Sequence, residues 1–225
     1  MAIASIIAID GPAASGKSTL GFRLADALDY LYFDTGLMYR AVTWVALNRQ
    51  VDIKNEAAVS LLAEQVPIDV STPSLEDGRP CDVVVDGRDI TWEIRKPEVE
   101  ASVSMVAAYM GVRKALTRQQ RRIGLRGRVV MVGRDIGTVV LPEADLKIYL
   151  DASPEQRAQR RYKEILGRGD RANYEDILKK VRERDRIDST RAASPLKPAA
   201  DAVILDSDLL DADTVFEQAY DLCVK

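Results

Sequence analysis

The sequence predicts an α/β fold in which a parallel β-sheet is covered by helices on both faces. Short apolar runs rich in β-branched residues alternate along the chain with longer segments of helical periodicity. The chain has 225 residues, of which 47% are hydrophobic, and this is enough to bury one sizeable core. We therefore expect a single α/β core with room for a small inserted unit.

Five apolar runs have the length of buried parallel strands: Ile3–Ile9, Tyr30–Phe33, Val129–Val132, Leu146–Leu150 and Ala202–Leu205. Helical patterns cover the segments Lys17–Leu28, Leu37–Leu47, Pro97–Ile123, Pro154–Leu166, Tyr174–Ile187 and Ala212–Val224. Because strands and helices alternate in this way, the pattern predicts a five-stranded parallel sheet with crossover helices.

One stretch departs from this alternation. Val66, Ile68 and Val70 alternate with polar residues, and the run Asp82–Val85 is followed by the hairpin pair Asp86-Gly87. We interpret residues 63–93 as a small antiparallel domain inserted into a core that consists of residues 1–62 and 94–225.

Composition excludes several classes of protein. Histidine is absent, and the two cysteines, Cys81 and Cys223, lie far apart, which argues against disulfide frameworks, zinc sites and histidine-dependent nucleophilic catalysis. The net charge of −3 argues against a nucleic-acid-binding surface. No run is long enough for a signal peptide or a membrane span. We expect a cytoplasmic monomer with no nucleic-acid or membrane partner.

A phosphate-binding loop follows the first strand. Residues Gly11-Pro12-Ala13-Ala14-Ser15-Gly16-Lys17-Ser18 match the pattern G-x-x-x-x-G-K-[ST], and they connect an apolar strand to a helix. Lys17 would contact the β- and γ-phosphates of ATP, and the Ser18 hydroxyl would be a ligand of Mg²⁺. A chance match in a glycine-containing turn is the alternative. The context favours a P-loop NTPase fold, although the loop alone does not separate kinases from switches and motors.

The second and third strands of the predicted core end in charged or hydroxyl residues. Thr35 and Arg40 follow the strand Tyr30–Phe33, and Arg134-Asp135 follow Val129–Val132. Ligands bind at the carboxyl ends of strands in open α/β sheets, so Thr35, Arg40 and Arg134 are candidates for phosphate contact, while Asp135 can accept a hydrogen bond from an amino or hydroxyl group. The alternatives are an ordinary helix cap with a surface arginine in the first case and an ion pair in a turn in the second.

The helix near residues 174–191 changes character along one face. Ile177 and Val181 form a core-facing stripe that continues through Arg184, Asp188 and Arg191 at helical spacing. This replacement of apolar by charged residues indicates an anionic or hydroxylated ligand. Solvated ion pairs are the competing interpretation, and we expect Arg182, Asp185 and Arg186 to form only such pairs.

Two other helices carry candidate residues. Ser104 and Arg113 lie among apolar residues of the segment Pro97–Ile123, where spacing alone does not separate a binding role from a position at the edge of the core. Arginines also concentrate after the fourth strand, at positions 157, 160, 161, 168 and 171. They could form a mobile lid over the ATP phosphates, within about residues 152–171, or simply a solvated basic helix.

Several motifs in order make the whole chain resemble the bacterial cytidylate kinase family of nucleoside monophosphate kinases. They are Ile9-Asp10-Gly11-Pro12, Asp34-Thr35-Gly36 with Tyr39-Arg40, Ile94-Arg95 with Pro97-Glu98-Val99, Val106-Ala107-Ala108 before Val112-Arg113, Gly133 to Val140, Arg184-Asp185 with Asp188 and Arg191, and Ala199-Ala200-Asp201-Ala202. Trp92 and the lack of histidine are unusual, but neither affects a motif residue.

The resemblance implies a P-loop core, an inserted acceptor-binding domain and a short lid. It implies that Gly11 to Thr19 bind ATP and that Arg157 belongs to the lid. The acceptor residues that it implies fall into three groups: Ser104, Arg113 and Asp135 for cytosine; Arg184 and Asp188 for the ribose; and Thr35, Arg40, Arg134 and Arg191 for the phosphate. Lys17, Arg134, Arg157 and Arg191 would be the catalytic cations.

The reaction expected from this resemblance is the transfer of a phosphoryl group from ATP, with Mg²⁺, to CMP and dCMP. A kinase for another small acceptor, such as UMP, AMP, dTMP or shikimate, is the nearest alternative, and a non-catalytic nucleotide-binding regulator is a second. A phosphate acceptor is mostly dianionic at neutral pH and needs no strong general base, in agreement with a chain without histidine.

Overall fold

The computed structural model describes residues 3–191, 194–208 and 210–225. Its strands and helices, in chain order, are β1 Ile6–Asp10, α1 Lys17–Leu28, β2 Leu31–Asp34, α2 Gly36–Asn48, α3 Glu56–Gln65, β3 Ile68–Ser71, β4 Asp82–Val85, β5 Arg88–Asp89, α4 Pro97–Ala108, α5 Met110–Gly124, β6 Val129–Val132, β7 Leu146–Asp151, α6 Pro154–Gly167, α7 Tyr174–Thr190, β8 Val203–Asp206 and α8 Ala212–Cys223. The predicted α/β class is confirmed.

The main sheet has five strands in the order β2-β6-β1-β7-β8, and every neighbouring pair is parallel. All five strands correspond to predicted runs, with ends shifted by at most three residues. Because the strands are parallel, their carboxyl ends share one edge of the sheet. The polar residues that follow β1, β2 and β6 are therefore neighbours at that edge.

A separate hydrophobic cluster covers each face of the main sheet. One cluster joins Ile7, Ile9 and Val130 to Leu20 and Leu24 of α1, and it extends to α8. The other joins Ala8, Phe33 and Met131 to α2, α3 and α5. Apolar residues on both faces explain why the parallel strands are continuous hydrophobic runs rather than alternating ones.

The predicted antiparallel sheet is present as β3-β4-β5. Asp86 and Gly87 form its hairpin turn, with φ angles of 50° and 77°. The inward residues of this small sheet, including Ile68, Val70 and Val83, belong to the same cluster as α2, α3 and α5. The small sheet is thus separate in hydrogen bonding but continuous with the main core in packing.

Two helical features differ from the sequence prediction. Helix α3 was not predicted, and residue 63, the expected start of the insert, lies inside it. The predicted helix Pro97–Ile123 is two helices that are separated at Tyr109, whose backbone is extended and whose hydroxyl donates to the Ile53 carbonyl at 2.8 Å. The break brings Gly111 so close to α3 that a Cβ atom there would lie 2.5 Å from the Ser60 side chain.

The remaining helices begin and end within three residues of their predicted positions. Among the helices in the described ranges, none combines the length and the apolar composition that a membrane span requires.

Phe33 of β2 directly precedes Asp34 and Thr35, and it is fully buried in the cluster that includes α2, α3 and α5. We expect Phe33→Ala to lower the free energy of unfolding by about 3–5 kcal/mol, because it removes a core ring and leaves a cavity. Urea unfolding monitored by circular dichroism measures this loss. Phe22→Ala is the control, since 47% of Phe22 is exposed. Equal losses in the two variants would contradict the assignment of Phe33 to the core.

Candidate active site

The loop Gly11–Ser18, hereafter the phosphate loop, has a backbone that requires its glycines. Gly11 and Gly16 have φ angles of 147° and 99°, and Ala14 has the unusual value of 62°. A Cβ atom on Gly11 would lie 2.2 Å from the carbonyl oxygen of Leu150 in β7. The loop is therefore wound tightly against the sheet edge, in a conformation that most side chains would not permit.

Side chains from other segments of the protein donate hydrogen bonds to carbonyl groups of this loop. Arg157 donates to the Ala13 carbonyl at 3.1 Å, and Arg160 donates to the Ser15 carbonyl at 3.2 Å. Ser207 also donates to the Ser15 carbonyl, at 3.1 Å. These contacts fix the backbone of the loop, and its remaining N–H groups can serve an anion. Sequence reasoning missed this role of Arg160 and Ser207, because their partner is backbone that lies more than a hundred residues away.

Lys17 is buried at the base of the loop. Its ammonium donates to the Pro12 carbonyl at 2.5 Å and to the Ser15 hydroxyl at 3.3 Å. Burial, together with the nearby positive charge of Arg134, holds the pKa of Lys17 well below its usual value. An anion at this position would relieve the unfavourable environment of the charged lysine.

Asp10, the last residue of β1, holds the turn that carries Arg134 and Asp135. Its carboxylate accepts hydrogen bonds from the backbone N–H groups of Ile136 at 2.8 Å and Gly137 at 2.7 Å. These residues begin a π-helical turn, Ile136–Val140. Burial raises the pKa of Asp10 to about 6, although the two backbone hydrogen bonds oppose the shift. Sequence reasoning placed Asp10 in a motif but assigned no role to its side chain.

A cavity of about 310 Å³, hereafter the central cavity, opens between the phosphate loop, β2, β6, α4, α5 and α7. It is lined by Ala13, Ala14, Lys17 and Ser18 of the loop and by all nine predicted acceptor residues, namely Thr35, Arg40, Ser104, Arg113, Arg134, Asp135, Arg184, Asp188 and Arg191. The structure therefore brings four of the nine predicted ATP-binding residues to the same cavity as the predicted acceptor residues, while Gly11, Pro12, Ser15, Gly16 and Thr19 are absent from its lining.

Within the central cavity, most of the predicted cations contact carboxylates. Arg113 is buried and donates to Asp135 at 2.7 Å, while Arg134 donates to Asp188 at 3.0 Å. Arg191 lies 3.6 Å from Asp188. On the rim, Arg40 pairs with Glu100 of α4. The Thr35 hydroxyl donates to the Val132 carbonyl at 3.1 Å, so its oxygen remains available as an acceptor.

The central cavity is rich in positive charge. Its described lining contains seven basic side chains and three acidic ones. The pKa values of Arg184 and Arg191 are lowered, mainly by burial and secondly by the positive charge of neighbouring arginines. Two buried guanidinium nitrogens, Arg113 Nε and Arg191 Nη2, make no hydrogen bond within the described residues. Unsatisfied donors and crowded cations are the features of a site for an anionic ligand.

One prediction about these charged side chains is wrong, and one stays a prediction. The place of Arg157 in a lid stays a prediction: its side chain is only 2% exposed, and it is absent from the lining of the central cavity. Arg161, one turn later in α6, lines the cavity instead. Asp185 does not form a solvated pair, because it binds the buried Arg157 at 2.5 Å. Arg182 and Arg186 do form exposed pairs, although the partner of Arg182 is Glu155 of α6 rather than a residue of its own helix.

A phosphate loop that faces a cation-lined cavity across one sheet edge defines a P-loop phosphotransferase for a small anionic acceptor. Comparison with known proteins specifies the class further. A family model described as cytidylate kinase matches residues 7–225, and the chain belongs to that family.

Curated relatives agree with this assignment. The chain is 54% identical over 208 residues to a cytidylate kinase of Chloroflexus aggregans, with 92% of this chain and 89% of the relative covered. It is 50% identical to the cytidylate kinase of Herpetosiphon aurantiacus and 45% identical to that of Bacillus licheniformis, covering 94% of this chain in both cases and 90% and 92% of the relatives. A solved but uncharacterized protein from Eubacterium ventriosum shares the fold, with a TM-score of 0.54, 10% identity and coverage of 97% and 98% of the two chains.

Asp10 should give the protein a measurable pH dependence of stability. Its pKa in the folded state, about 6, lies above the ordinary value of 3.8, so the folded protein binds more protons than the unfolded chain between these values. The contribution of Asp10 to stability therefore increases as the pH falls from 7 to 4.5, by about 2 kcal/mol. We expect Asp10→Asn to remove this component from the dependence of the free energy of unfolding on pH.

Urea unfolding at a series of pH values measures the difference between the wild type and the variant. Asp145→Asn is the matched control, because Asp145 also accepts from two backbone N–H groups, those of Ser5 and Ile6, but is exposed. Parallel pH dependences for the wild type and Asp10→Asn would contradict the raised pKa.

Proposed function

We propose that this protein transfers the γ-phosphoryl group of ATP to CMP, and to dCMP, and releases ADP and the corresponding nucleoside diphosphate. The observation that supports the proposal is the central cavity, whose lining combines residues of the phosphate loop with the nine predicted acceptor residues. Membership of the cytidylate kinase family supports the same acceptor.

The donor would bind along the phosphate loop, from Gly11 to Thr19. Lys17 would turn from the Pro12 carbonyl toward the β- and γ-phosphates, a change that its buried and repulsive environment favours. The site also fits Mg²⁺, because the Ser18 hydroxyl lies 3.3 Å from the Asp34 carboxylate, and Mg²⁺ prefers such oxygen ligands. When bound, Mg²⁺ would supply positive charge to the β- and γ-phosphates.

The acceptor phosphate would be held by Thr35, Arg40, Arg134 and Arg191. Arginine suits this task, since its planar fork can bind two phosphate oxygens at once. The present partners of Arg40 and Arg134, Glu100 and Asp188, would be replaced by phosphate oxygens or shared with them. Arg184 and Asp188 would contact the ribose hydroxyls.

Ser104, Arg113 and Asp135 would recognise the base. Asp135 can accept a hydrogen bond from the amino group of cytosine, and uracil offers a carbonyl oxygen at the same position. Arg113 contacts Asp135 and has one unsatisfied nitrogen, so it can serve the carbonyl oxygen of the base. A buried hydrogen-bonding site of this kind discriminates strongly against an acceptor that leaves its groups unpaired.

Catalysis would depend on position and charge. The attacking group would be a phosphate oxygen of the acceptor, which is mostly ionised at neutral pH. Lys17, Arg134 and Arg191 would place the two phosphates in line and stabilise the charge of the transferring group. Arg157 would act indirectly, through its contact with the phosphate loop.

We further propose that residues 63–93 and about 152–171 move relative to the rest of the chain as acceptor-binding domain and lid. The small sheet is a hydrogen-bonded sheet distinct from the main one, which supports movement of residues 63–93. The exposed turn around Gly167, Arg168 and Gly169 supports movement of the lid. Closure would exclude water from the central cavity and thereby limit hydrolysis of ATP.

A substrate panel tests the proposed acceptor. We expect kcat/KM for CMP to exceed the values for UMP and AMP by at least about 10²-fold, because only cytosine satisfies Asp135 and Arg113 together. ADP release in a coupled assay measures these values. Lys17→Ala, purified by the same procedure, should lower kcat by about 10³-fold or more. This control excludes a contaminating kinase as the source of the activity. Comparable rates for UMP or AMP would refute the proposed base specificity.

Asp188→Ala tests the ribose assignment. We expect KM for CMP to rise about tenfold or more, because the variant loses the carboxylate that would accept hydrogen bonds from the ribose hydroxyls. KM for ATP should change less than about threefold, since Asp188 is absent from the phosphate loop. Initial rates with each substrate varied in turn give both constants. An equal rise in the two KM values would remove Asp188 from the acceptor site.

A further inference from the structure

The guanidinium of Arg157 lies where three segments meet. Its Nε atom donates to the Ala152 carbonyl at 2.9 Å, just after β7, and its Nη1 atom donates to Ala13 of the phosphate loop at 3.1 Å. Both terminal nitrogens also bind the carboxylate of Asp185 in α7, at 2.9 and 2.5 Å. This is a bidentate ion pair, the most geometrically restrictive contact available to an arginine.

The position of Asp185 gives this contact its importance. Arg184 and Asp188, one residue before it and three after it, both line the central cavity. The chain of contacts from Ala13 through Arg157 to Asp185 therefore joins the loop proposed for ATP to the helix proposed for the acceptor ribose. The arginine of this link is buried, with 2% of its side chain exposed, whereas Asp185 is partly exposed at 26%.

A second ion pair between the same two helices provides a comparison. Arg182 of α7 binds Glu155 of α6 at 2.6 Å, but the two side chains are 60% and 52% exposed. Neither residue contacts the phosphate loop in the described structure. Exposed pairs of this kind contribute little, whereas loss of the partner of a buried arginine is costly. Apolar contacts of Ala158, Leu178 and Val181 hold α6 and α7 together independently of either pair.

We propose that Asp185 is a positioning residue that acts through Arg157 to couple the binding of ATP to the binding of the nucleoside monophosphate. The inference rests on the proposed function. An anion in the phosphate loop shifts or fixes the Ala13 carbonyl, and Arg157 transmits this restraint to α7, where it orients Arg184 and Asp188. Coupling between binding sites is reciprocal, so each ligand tightens the binding of the other.

Calorimetric titration of the purified protein measures this coupling. The dissociation constant of CMP is determined without and with a saturating, non-hydrolysable ATP analogue and Mg²⁺, and the ratio of the two values is the coupling factor. For the wild type we expect a ratio of about 5 or more. For Asp185→Asn we expect the ratio to fall at least threefold toward 1, while each ligand alone binds within about twofold of the wild type.

Asparagine preserves the size of the side chain and one acceptor for Arg157, so the fold should persist. If Asp185→Asn proves insoluble, Arg157→Lys is the second variant, because it keeps the charge but loses the bidentate geometry. Glu155→Gln is the matched control, since it breaks the exposed pair between the same helices, and it should keep the wild-type ratio.

Three results would overturn the coupling. The first is a coupling factor of 1 in the wild type. The second is a coupling factor in Asp185→Asn that equals that of the wild type. The third is a loss of coupling in Glu155→Gln as large as the loss in Asp185→Asn. Failure of the proposed function is distinguishable, because it would be seen as a wild-type protein that neither binds nor phosphorylates CMP. In that case both proposals fall, whereas a wild type that binds and phosphorylates CMP without coupling overturns only this one.

Discussion

The crowding of positive charge at one edge of the parallel sheet is the constraint on which the rest of the structure depends. Lys17, Arg134, Arg184 and Arg191 line the same cavity, and burial and mutual repulsion lower the pKa values of three of them. Such an arrangement is unfavourable unless the rest of the fold supports it. Two continuous hydrophobic clusters, one on each face of the sheet, supply that support.

Carboxylates moderate the repulsion among these cations. Asp135 binds Arg113, Asp188 binds Arg134, and Glu100 binds Arg40. An incoming phosphate must compete with these pairs, so part of its attraction to the arginines is offset by the loss of existing contacts. The benefit is specificity, because a ligand is favoured only if its own groups satisfy the carboxylates as well as the cations.

The sequence was sufficient to predict features that depend on local pattern, such as the phosphate loop, the five core strands and the hairpin at Asp86. It failed where the cause lies far along the chain. Asp10 acts on residues about 126 positions later, and the burial of Arg157 depends on Ala13 and Asp185. The break at Tyr109 likewise reflects packing of α5 on α3, which helical periodicity does not encode.

The sheet edge also fixes the distance between donor and acceptor. Strands β1 and β6 are adjacent and parallel, with Ile9 opposite Val132. The backbone segments that follow these two strands therefore leave the sheet about 5 Å apart. From β1 the chain enters the phosphate loop, and from β6 it enters the turn of Arg134 and Asp135. Asp10 then ties this turn to the strand that precedes the loop. Groups that must meet within bonding distance in an in-line transfer thus start from neighbouring strands of one rigid sheet, so their alignment does not depend on flexible loops alone.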